Sequence, residues 1–73
     1  MYFDILNNKN EKVGRLTVKH DQFSVDPKYF NSMLYLHASQ ISKVKRLKAE
    51  KLFCEELEEY FFPKNDSFFE WYN

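Results

Sequence analysis

Four glutamates, Glu55, Glu56, Glu58 and Glu59, are the densest group of ionisable side chains in the sequence. Paired carboxylates can do general acid–base work, but only when a pocket sets their protonation states apart. No second chemical group stands near them in sequence, so a charged helix face is the simpler reading. The metal-ligating and nucleophilic types are as sparse: one cysteine, Cys54, and two distant histidines, His20 and His37. One Cys and two separated His do not make a zinc site. Cys54 reads as a structural thiol and His37 as a packed histidine on an apolar stripe. A single glycine leaves no material for a phosphate-cradling loop. No catalytic residue, metal site or cofactor is expected, and the chain is read as non-enzymatic.

Two other constellations can bind rather than react. Lys43, Lys45, Arg46 and Lys48 form a basic run suited to nucleic-acid phosphates. If they begin a second helix after a turn near residue 40, they imitate the reading end of a helix-turn-helix. The plainer alternative is a solvated helix laced by the four-apart pairs Arg46–Glu50 and Lys51–Glu55. An isoelectric point near 6.7 and a turn without glycine argue against DNA binding. Residues 60–72 hold seven of the fourteen aromatics. Trp and Tyr are enriched at interface hot spots, so Phe68, Phe69, Trp71 and Tyr72 are candidate protein-binding residues. Core packing competes for the same rings. Val44 and Leu47 join the candidates because, on a second helix, they point away from the apolar stripe of Leu52, Phe53, Leu57 and Tyr60 and look poorly buried.

Charge is divided along the chain. Residues 1–52 carry ten bases against five acids, and residues 53–73 carry Lys64 against six acids, so +5 faces −5. If the division falls within one helix, bases lie at its N-terminus and acids at its C-terminus, the order the macrodipole disfavours. That cost suggests a protein partner, or a second copy of the chain in a homo-oligomer.

The elements that position these groups follow from pattern and length. Seventy-three residues allow one domain with a small core, and 19% aromatic residues supply large side chains to fill it. Tyr2 to Leu6 reads as a strand, Asn7 to Asn10 as a turn, and Val13 to Lys19 as a second strand. Gln22 to Val25 reads as a short third. Asp26-Pro27 is a helix start signal. Phe30, Met33, Leu34, His37 and Ile41 then fall at helical spacing, although Met33 to Ala38 also alternates like a strand. Helical types continue to Tyr60, and a break at Ser39 to Ser42 keeps the element from outrunning so small a domain.

The expected architecture is α+β. An N-terminal antiparallel meander of two or three strands (1–25) packs on two helices (27–38 and 42–61), followed by an acidic aromatic tail (62–73). No apolar run reaches the roughly 20 residues that span a bilayer, and no secretory leader is read at Met1 to Asp4. With a lone thiol, these features point to the cytoplasm. The short, motif-poor, Asn- and Lys-rich chain fits a phage or mobile-element gene. The function expected is a protein-binding adaptor, inhibitor or regulator, with a nucleic-acid-binding transcriptional regulator as the alternative.

Overall fold

A computed structural model describes residues 1–27 and 32–73 of the chain. It contains a six-stranded sheet and one α-helix. The strands are β1 (Tyr2–Leu6), β2 (Lys12–Thr17), β3 (Met33–Tyr35), β4 (Lys51–Cys54), β5 (Glu59–Pro63) and β6 (Glu70–Tyr72), and helix α1 spans Ala38–Arg46. In space the strands run β2-β1-β4-β5-β6-β3, and each neighbouring pair is antiparallel.

Side chains alternate across a strand, so one residue in two can face the core. Phe3 and Ile5, Leu16, Leu52 and Cys54, Phe61, Trp71 and Leu34 do so, and all are buried. Phe23, from the segment after β2, joins them: its ring centroid lies 6.3 Å from that of Phe3 and 6.2 Å from that of Phe61. α1 closes the same face with Val44, which is fully buried, and with the partly buried Ile41 and Leu47. Gly14 on β2 makes room for it. A Cβ there would lie 2.8 Å from Cδ1 of Leu47.

Both open edges of the sheet are blunted, which protects it from pairing with other chains. On β2, Lys43 Nζ donates to the carbonyl of Arg15 at 2.5 Å, and Gln40 Nε2 donates to that of Thr17 at 2.9 Å. On β3, Phe23 bridges Leu34, and Ser24 N–H donates to the carbonyl of Met33. A glutamine pair ties these edges together. Gln22 is buried, accepts from Lys19 N–H, and donates to the carbonyl of Tyr35 and to Gln40 Oε1. Gln40 Oε1 also accepts the N–H of His37, the residue that caps α1. Each buried polar atom so paired avoids a desolvation cost of about 1–3 kcal/mol.

The two-helix architecture expected from sequence is therefore corrected. The N-terminal hairpin is present as β1–β2, with Asn7 Oδ1 accepting from the N–H groups of Lys9 and Glu11. The third strand of the meander is instead a 3-10 turn at His20–Gln22 followed by a single bridge. The helix expected over 27–38 is contradicted by strand β3 at Met33–Tyr35, while Phe30 of its apolar stripe lies outside the described residues. The helix expected over 42–61 ends at Arg46. The rest of that span forms β4, a turn at residues 55–58, and the start of β5. The tail is not an appendage either, since β6 binds β5 on one side and β3 on the other.

Candidate functional surface of the sheet

Antiparallel sheets with one buried face normally show alternating polar residues on the other. Here the solvent face carries large aromatic and aliphatic side chains, mixed with charged ones, in two rows. The first crosses β2, β1, β4 and β5 through Arg15, Asp4, Phe53 and Tyr60, which stand opposite one another in register. Phe53 and Tyr60 have ring centroids 4.8 Å apart. The second begins with the Leu6–Lys51 pair and continues through Phe62, Tyr72 and Met33 on β5, β6 and β3. Tyr60, Phe62 and Tyr72 keep 45%, 48% and 42% of their surface in water.

Cations decorate this face without neutralising it. Lys51 Nζ sits 4.9 Å from the Tyr60 ring centroid, and the Arg15 guanidinium 5.3 Å from that of Tyr2. Two surface ion pairs, Lys12–Asp4 and Lys64–Glu70, both close at 3.2 Å. Such exposed pairs fix side-chain positions more than they stabilise the fold.

The residues singled out in the sequence are divided by the fold. Tyr72 lies in the second row, and Phe69 is exposed beside Tyr35 with ring centroids 5.6 Å apart. Trp71 is fully buried, its Nε1–H donating to the carbonyl of Phe68 at 2.7 Å. Phe68 is half-buried under the Lys45 ammonium, 5.9 Å from its ring centroid. The expectation that Val44 and Leu47 are poorly buried is corrected, since both pack on the core from α1. Lys43 is held by the Arg15 carbonyl and Lys45 lies against Phe68, which leaves Arg46 and Lys48 as the freer cations of the basic run. His37 is exposed at the helix start rather than packed on a stripe.

The charge argument changes with the helix. Lys43, Lys45 and Arg46 occupy the last turn of α1, where positive charge complements the macrodipole. Glu55, Glu56 and Glu58 lie in a turn between strands and Glu59 opens β5, so among the described residues the acids do not share a helix with the bases. Among the described residues no three His, Cys, Asp or Glu side chains are grouped to hold a metal ion. Cys54 is buried, and loss of solvation pushes its thiol above its ordinary value, although backbone hydrogen bonds from Leu57 and Glu56 pull part of the way back.

Sequence reasoning missed Phe53, Tyr60, Phe62 and Met33 as surface residues. Their signal was period two: Lys51 and Phe53 alternate with Leu52 and Cys54, and Tyr60 and Phe62 flank Phe61. Among the described residues no helix is long and apolar enough to cross a membrane. Compared with protein-family models, with curated proteins and with solved structures, the chain matches none of them.

Proposed function

We propose that the chain is a small, non-enzymatic protein-binding module, an adaptor, inhibitor or regulator, whose docking surface is the outer face of its sheet. The observation that carries this reading is the second row. Adjacent strands place Phe62, Tyr72 and Met33 side by side where a solvated sheet needs polar residues. Together with Tyr60 of the neighbouring row, Phe62 and Tyr72 make three half-exposed rings that, at about 150–250 Å² for each aromatic side chain, leave roughly 300 Å² of surface in water. That reaches the size at which patches on soluble proteins are often functional. Rigid sheet rings with few rotamers also lose little entropy on docking. A chain with a single cysteine, which builds no disulfide framework of its own, suits a reducing compartment such as the cytoplasm.

Site-specific photo-cross-linking tests the face. A benzophenone side chain at Phe62 is expected to form protein adducts in cells, and the same group at Ser42, exposed on α1, is not. Equal adducts at the two positions, or none at Phe62, remove the reading.

A further inference from the structure

We draw no further inference here: the strongest candidate, the outer face of the sheet around Phe62, Tyr72 and Met33, is bordered by charges of both signs that select no partner, and nothing in the structure shows what covers it.

Discussion

Cys54 shows how one side chain reports on the core. It points inward from β4 opposite Phe3, and burial holds its thiol neutral beyond the ordinary value of 9.0. Below that value the thiol is protonated in both folded and unfolded chains and contributes no pH dependence. Above it the unfolded chain ionises first, so stability falls as pH rises toward the folded value. Urea midpoints are expected to drop between pH 9 and the onset of alkaline unfolding in wild type, and to drop less in Cys54→Val. An aromatic disulfide reagent should label Cys54 only at the rate of unfolding. Gln22 is the polar counterpart. Replacing it by Leu strands the Tyr35 carbonyl and the Lys19 N–H, at a cost of about 2–3 kcal/mol by chemical denaturation. An unchanged midpoint would show that the glutamine pair is ornamental.

At the level of elements, the sequence was legible where local chemistry was explicit. Asn7 and Asn10 marked the first turn, and the alternation around Leu16 marked β2. The second half was misread because its stop signals are carried by residues that usually continue helices. α1 ends in a Schellman cap: Ala49 N–H reaches the Val44 carbonyl and Lys48 N–H that of Lys45. The left-handed position in that cap, normally glycine, is Lys48 with φ 56°. The β4–β5 turn closes in the same way through Glu58 with φ 54°. With neither Gly nor Pro between Ser39 and Phe62, Leu52, Phe53, Leu57 and Tyr60 matched a helical stripe that tertiary pairing overrode. The outer face was invisible for the same reason, because a period of 3.6 scatters residues that a period of two aligns. Glycine at either left-handed position relieves the strain of a side chain there and gives some of it back through a looser unfolded state. Lys48→Gly and Glu58→Gly are each expected to raise stability by about 0.5–1 kcal/mol, read as higher urea midpoints with an unchanged slope. A loss of stability at both would contradict the backbone assigned to these turns.

On the scale of the whole molecule, the last strand closes the sheet. β3 meets the other described strands only through β6, and β6 brings Trp71, the largest fully buried side chain, against Leu34. Deleting residues 70–73 removes that ring, the hydrogen bond from Lys64 N–H to the Glu70 carbonyl, and the link between β5 and β3. Loss of a buried Trp side chain alone costs about 3–5 kcal/mol. A domain of this length is stabilised by only about 4–11 kcal/mol in total. The shortened chain is therefore expected to lose amide dispersion in its proton–nitrogen NMR spectrum across the whole sheet, β1 and β2 included, because β1 and β4 share one core with β6. The full-length Trp71→Phe variant keeps β6 and an aromatic ring at the position, and so separates loss of the strand from loss of the indole. The core retains that ring but loses part of the buried volume as well as the bond to the Phe68 carbonyl, so the variant should remain folded at reduced stability. A dispersed spectrum from the shortened chain would show that β1, β2, β4 and β5 fold without the strand that joins them to β3, and that the core is two clusters rather than one.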